Sequence, residues 1–175
     1  MSTFTAKNLI IAGLYTALLI VSQLALSAIA GIEIVTVLLL VFCYMQGVKK
    51  GVAVATSFSL IRCFVFGFTP NVLLLYMLYY NLFAVVCGFV GGVFKRKYTV
   101  LGHVISVVAA AALTAIFTLM DCAITPLIYG FSANAAKAYY LASLPVMIPH
   151  VICAVATVSL LFFPLVKALS SALHD

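Results

Sequence analysis

Charge is scarce in this sequence: 7% of its 175 residues are Asp, Glu, Lys or Arg, and three of those are acidic. A soluble domain carries about 25%. With three histidines besides, the chain holds poor material for general acid–base catalysis. No HExxH, GxSxG or repeated His/Asp cluster occurs, so hydrolytic and metal chemistry lack their apparatus. The P-loop pattern GxxxxGK followed by Ser or Thr is also missing. Movement of a solute against a gradient would therefore draw its energy from a partner or an ion gradient. The five cysteines stand one per apolar stretch with no CxxC pair. An odd, scattered set fits neither a disulfide framework nor a zinc site, and reads as small buried hydrophobes. Neither a metal nor a cofactor is expected, and the chain is read as a non-enzyme.

Apolar residues are what the sequence has in excess, at 67%. A water-soluble fold of this length still exposes roughly a third of its unfolded surface, too much to keep such a composition out of water. Lipid must cover the remainder. The net charge of +6 does not indicate nucleic acid, because the basic residues form short clusters between apolar runs and not a stripe interleaved with aromatics.

A membrane span needs about 20 mostly apolar residues. Reading from breaker to breaker gives six candidates, at 8–28, 32–48, 51–68, 71–94, 101–129 and 141–166. The expected fold is thus an all-α integral membrane protein, one domain over residues 1–175, with six transmembrane helices. If the N-terminus is cytoplasmic, Lys7, Lys49, Lys50, Lys95, Arg96, Lys97 and Lys167 all fall inside, Lys137 falls outside and Arg62 lies within a span. That positive-inside bias places both termini in the cytoplasm. A rival reading takes the first run as a signal peptide ending at Ala28-Ile29-Ala30. Its apolar run is longer than a usual signal core, so the span is preferred. The one long outer loop is 130–140, with Tyr139 and Tyr140 suited to an interfacial belt.

Ionisable groups within a bilayer are costly and mark candidate sites. At 1.5 Å per residue, Arg62 lies about 18 Å above the inner boundary and Asp121 about 30 Å above it. Glu33 opens the second span at the outer surface, and His150 falls in the outer third. Asn71 opens the fourth span, followed by Tyr76, Tyr79, Tyr80 and Asn81. Thr114, Thr118, Asp121 and Thr125 repeat at i, i+4, i+7, i+11, one face of a helix. Tyr76 and Tyr80, at i, i+4, are placed to stack on a flat ligand. Each group has a plainer role available: threonines bond their own helix, tyrosines mark the interface, Arg62 pairs with Asp121, Glu33 is solvated, and His150 satisfies a turn broken by Pro149. Independent structural needs would scatter polar groups through the depth of the bilayer. Here they gather in the outer half, which predicts a pocket open to the outside. In the first span, Ala12 with Thr16 and Gly13 with Ala17 are small-xxx-small pairs that admit a partner helix.

Two stretches, GIEIVTVLLLVFCYMQGVKKG at 31–51 and LIRCFVFGFTPNVLLLYMLYYNLFAVVCGFVGGVFKRK at 60–97, carry a resemblance. The x-E-x-V-T start of the second span, the basic turn, the GF-x-P outer loop and the Gly-rich end of the fourth span are similar to the substrate-binding S components of energy-coupling factor (ECF) vitamin transporters. The resemblance covers nearly the whole chain in length and span number. It implies capture of a vitamin-like micronutrient at the outer face of a bacterial plasma membrane. It further implies association with a transmembrane T component and two cytoplasmic ATPases, and toppling of the subunit to release substrate inside. Carried onto this sequence, it implies a site at Asn71, Tyr76, Tyr80, Asp121, Thr125 and His150, with Arg62 and Glu33 at its margin. The family's first span docks on the T component through an A-x-x-x-A motif, which departs here to Ala12/Thr16 and Gly13/Ala17. Two other functions remain open: a small intramembrane enzyme using Asp121 or His150, and an ion- or proton-coupled carrier relying on Arg62 and Asp121.

The topology is open to a direct check. Reporter fusions after Lys50 and Lys97 should show cytoplasmic activity and one at Lys137 external activity; the reverse pattern at both basic turns would overturn the orientation.

Overall fold

A computed structural model describes residues 6–27 and 34–174. Six helices follow one another in order: α1 (Ala6–Leu26), α2 (Val35–Gln46), α3 (Val48–Phe66), α4 (Pro70–Val93), α5 (Val100–Tyr129) and α6 (Ala133–His174). Among the described residues there is no strand. Four of the helices, α1, α4, α5 and α6, are long and apolar enough to cross a membrane. Outward residues of the bundle include Leu14 at 69% exposure, Phe64 of α3 at 81% and Leu127 at 80%. An exterior of this kind is stable against lipid and not against water.

The other two helices depart from the simple span. α2 has 12 residues, about 18 Å, against a hydrocarbon core of about 30 Å. Every residue from Val35 to Tyr44 is buried, because α2 packs against all five other helices. A helix apolar on every side belongs in a core, and protein, not lipid, sets its length. α3 is 19 residues long and carries Lys49, Lys50 and Arg62, so its hydrophobic run is interrupted at both ends.

The turn between α2 and α3 is tighter than the sequence reading placed it. Gly47 alone separates the helices, with φ 83° and ψ 175°, a combination open essentially to glycine. Lys49 and Lys50 therefore lie in the first turn of α3. α4 passes close beneath this junction. A β-carbon at Gly88 would stand 2.7 Å from the backbone nitrogen of Val48, and one at Gly91 would collide with the Tyr44 carbonyl. The Gly-rich end of α4 is thus a packing requirement. At the next turn, the Tyr44 hydroxyl donates to the Lys97 carbonyl at 2.9 Å, and Thr99 caps α5 by accepting from the Gly102 N–H at 3.0 Å.

The expected outer loop at 130–140 is largely helix. Gly130 closes α5 in the left-handed conformation (φ 63°), and α6 begins three residues later at Ala133. Four alanines, at 133, 135, 136 and 138, favour helix over loop, and the Ser132 hydroxyl accepts from the Ala135 N–H at 3.3 Å. α6 then runs 42 residues, about 63 Å at 1.5 Å per residue. Cys43, Cys63 and Cys87 are buried and Cys122 and Cys153 half-buried, all as free thiols.

The contact at Gly91 is testable by sign. Gly91→Ala should lower thermal stability by about 1–3 kcal/mol through overpacking. Gly92→Ala, where a β-carbon meets nothing within 4 Å, should leave it unchanged or raise it. Equal melting temperatures for the two variants would refute the close approach.

Candidate small-molecule binding site

A cavity of about 450 Å³ opens between α4, α5 and α6, toward the end of the bundle remote from the Lys95–Lys97 turn. α4 contributes Tyr76, Tyr79 and Tyr80, and α5 contributes Thr114, Phe117, Thr118 and Asp121. From α6 come Tyr139, Ala142, Ser143, Val146 and His150. The size and the mixture of aromatic wall with few polar groups are those of small-molecule sites.

The aromatic wall is closely packed. Tyr76 and Tyr80 lie 5.1 Å apart between ring centroids, and Phe117 packs edge-on against Tyr76 at 5.7 Å and against Tyr79 at 4.8 Å. Behind Tyr80 stands the buried Phe58, perpendicular at 5.0 Å. Such tilted and edge-to-face pairs are the preferred aromatic geometries, so the wall is set before any ligand arrives. α3 and α4 are further joined by the Thr56 hydroxyl donating to Asn81 Oδ1 at 2.9 Å and by Ser59 donating to the Tyr76 carbonyl at 3.1 Å.

Asp121 is the polar centre. Its two oxygens accept from the Thr125 hydroxyl at 2.7 Å and the Tyr139 hydroxyl at 2.6 Å. Thr125 in turn accepts from Asn71 Nδ2 at 3.3 Å, and Asn71 Oδ1 accepts from the Tyr129 hydroxyl at 3.1 Å. A continuous chain of hydrogen bonds therefore ties α4, α5 and α6 around the carboxylate. Charge-assisted bonds of this kind are the strong members of a network. His150 Nδ1 lies 2.7 Å from the Val146 carbonyl. A carbonyl only accepts, so Nδ1 carries the proton of this bond. Thr114 Oγ1 is buried without a hydrogen-bond partner, on a residue that is 5% exposed and lines the cavity.

Of the residues proposed from the sequence, Tyr76, Tyr80, Asp121 and His150 line the cavity together. Asn71 and Thr125 stand behind Asp121 and hold it. Arg62 does not line the cavity; its guanidinium sits 3.9 Å from the centroid of the Tyr76 ring and 5.1 Å from that of Phe66. Among the described residues no ion pair joins Arg62 and Asp121: the guanidinium lies on the Tyr76 ring and the carboxylate accepts from two hydroxyls. Glu33 lies outside the described residues. Also among the described residues, no three His, Cys, Asp or Glu side chains gather as a metal site requires.

The structure divides the two small-residue pairs of α1. Ala12 and Thr16 are buried, and the Thr16 hydroxyl bonds the Ala12 carbonyl at 2.8 Å. They face the bundle, packed within this chain. Gly13 and Ala17 are exposed, and a β-carbon at Gly13 would meet nothing within 4 Å.

Tyr79 and Tyr139, read as belt residues, belong to the cavity, whereas Tyr140 stays 41% exposed. A signal for Tyr139 existed. Tyr139, Ser143, Val146 and His150 repeat the i, i+4, i+7, i+11 spacing seen in α5. The assumption of a loop through 140 hid it.

No family model, curated protein or solved structure matches this chain.

The cavity can be blocked without touching its polar centre. Ala142→Trp should fill it with an indole, leaving the melting temperature within a few degrees of the parent while abolishing any ligand that co-purifies. Retention of that ligand at parental occupancy would place binding elsewhere.

Proposed function

We propose that this protein is the substrate-binding membrane subunit of an ECF-type uptake system for a vitamin-like micronutrient. In this reading six helices sit in the plasma membrane of a bacterium with both termini inside. The cavity between α4, α5 and α6 faces outward, and a T component with two ATPases supplies the energy. The observation that carries the reading is the cavity itself: an aromatic wall and a single carboxylate, assembled on three helices at the end remote from the basic turns. Under the positive-inside rule that end is the external one. The absence of a nucleotide-binding sequence agrees with energy supplied by a partner.

Gly13 and Ala17 favour docking through α1. Both are exposed on a helix whose neighbouring outward residues, Leu9, Leu14 and Val21, are large and apolar. Small residues in such a face let a second helix approach closely. The carrier reading rests on Arg62 and Asp121, of which the first lies on Tyr76 and the second accepts from Thr125 and Tyr139. The enzyme reading retains one supporting fact, that Asp121 and His150 line the same cavity. Substrate turnover abolished by Asp121→Asn would favour it.

Two measurements test the proposal. Mass spectrometry of the purified protein should find a small organic molecule at near-equal stoichiometry. Gly13→Leu should reduce uptake in cells at least tenfold while leaving that molecule bound. Full uptake in vesicles lacking ATPases, or normal uptake by Gly13→Leu, would reject the coupled mechanism.

A further inference from the structure

Resting on the reading of the cavity as a ligand site, we infer that its ligand is a flat aromatic cation rich in hydrogen-bond donors, of the amidinium or protonated amino-heterocycle class. Ligands bearing a carboxylate are rejected. The inference follows from where the protein's own protons and charges are committed.

Among the described residues lining the cavity, Asp121 is the one formally charged group. Neither hydrogen bond to it comes from a cation: Thr125 and Tyr139 are both neutral hydroxyls. A partly buried carboxylate held by neutral donors stays short of its counter-charge, and an incoming cation supplies it. A carboxylate entering beside Asp121 would instead meet a like charge, and no guanidinium or ammonium is among the lining residues there to offset it.

The neutral polar groups point the same way. Tyr139 has donated its hydroxyl proton to Asp121 at 2.6 Å. Ser143 donates its own to the Tyr139 carbonyl at 2.9 Å, and His150 Nδ1 gives its proton to the Val146 carbonyl at 2.7 Å. Each of these three protons is spent inside the protein, and the two hydroxyls keep lone pairs as their remaining capacity. Along the α6 wall, beside Asp121, the cavity therefore presents acceptors. A ligand that also offered acceptors would leave both sides unsatisfied, a loss larger than the gain from a matched bond. Thr114 Oγ1, buried and unpartnered beside the ring cluster, adds one site able to accept or donate.

Arg62 fixes which end of the ligand carries the charge. Its guanidinium already covers a face of Tyr76 at 3.9 Å, and a second cation against that ring would meet a like charge. The ligand's positive end therefore lies beside Asp121. Its uncharged part packs against the rings of Tyr79, Tyr80 and Phe117. The volume of about 450 Å³ suits a molecule of one or two rings.

Three probes of one shape and different charge test this: benzamidinium, benzamide and benzoate, titrated against the full-length protein in detergent at neutral pH. Benzamidinium should bind at least tenfold more tightly than the other two. Asp121→Asn should remove that preference and Asp121→Glu should retain it. Ala142→Trp should abolish binding, which locates it in the cavity. Benzoate or benzamide binding as tightly as benzamidinium, or no saturable binding of benzamidinium to the parent protein, would overturn the inference. Because the ranking is measured on the parent protein, it does not depend on the variants folding. A neutral or anionic co-purifying molecule displaced by Ala142→Trp would sink the cation assignment alone. The absence of any co-purifying molecule would count against the binding-subunit reading and leave the probe ranking to stand or fall by itself.

Discussion

The backbone carbonyl of Tyr44 occupies the place a β-carbon at position 91 would need, and the rest of the bundle is arranged around that approach. Because α4 has glycine at 88 and 91, the α2–α3 junction lies directly on it. α2 can then be enclosed on all sides, from Val35 through Tyr44. Dispersion and close packing hold such a contact in lipid, where apolar burial between helices provides little drive. The Tyr44 hydroxyl extends the same anchor to the start of α5 through Lys97. In this way one close approach sets the positions of α2, α3, α4 and α5.

The two ends of the bundle differ in kind. The end with the basic turns is built from close backbone contacts and left-handed residues, Lys95 (φ 52°) and Arg96 (φ 57°), whose N–H groups bond back to Gly92 and Gly91. The opposite end is opened by side chains. Tyrosine and phenylalanine rings of α4 and α5 line the cavity there, and the chain from Tyr129 through Asn71 and Thr125 to Asp121 and Tyr139 ties α4, α5 and α6 together with hydrogen bonds. Polar bonds that would be solvated in water are costly to leave unmade beside lipid, so this network orders the site as it stabilises it. The rigid end and the open end are consequences of one sequence asymmetry, glycine at one end of α4 and tyrosine at the other.

Much of the cavity's lining was legible beforehand because helical periodicity is local. Thr114, Thr118 and Asp121 could be assigned to one face from spacing alone, and Tyr76 with Tyr80 likewise. What misled was the treatment of short segments. The Ala-rich stretch after Gly130 looks like a loop when judged by hydropathy, and as helix it brings Tyr139 onto Asp121. Residues 32–48 look like one more span by composition, yet α2 is a 12-residue core helix. Ala12 and Thr16 could not be told apart from Gly13 and Ala17, since both pairs have the same spacing and differ only in which side the neighbours cover.

Composition, charge clusters and helical period determined that this chain is all helix, bound for lipid, and polar toward one end. These are properties of single segments, and each is set by transfer free energy or by backbone geometry within a few turns. Only the tertiary structure decided that Arg62 lies on Tyr76 and not on Asp121, that α1 turns Gly13 outward and Thr16 inward, and that the protons of the Tyr139 and Ser143 hydroxyls and of His150 Nδ1 are already committed. Those outcomes depend on rotations of helices about their own axes relative to neighbours distant in sequence. No local pattern encodes such a rotation, because the energy that selects it arises only when the partner surface is in contact.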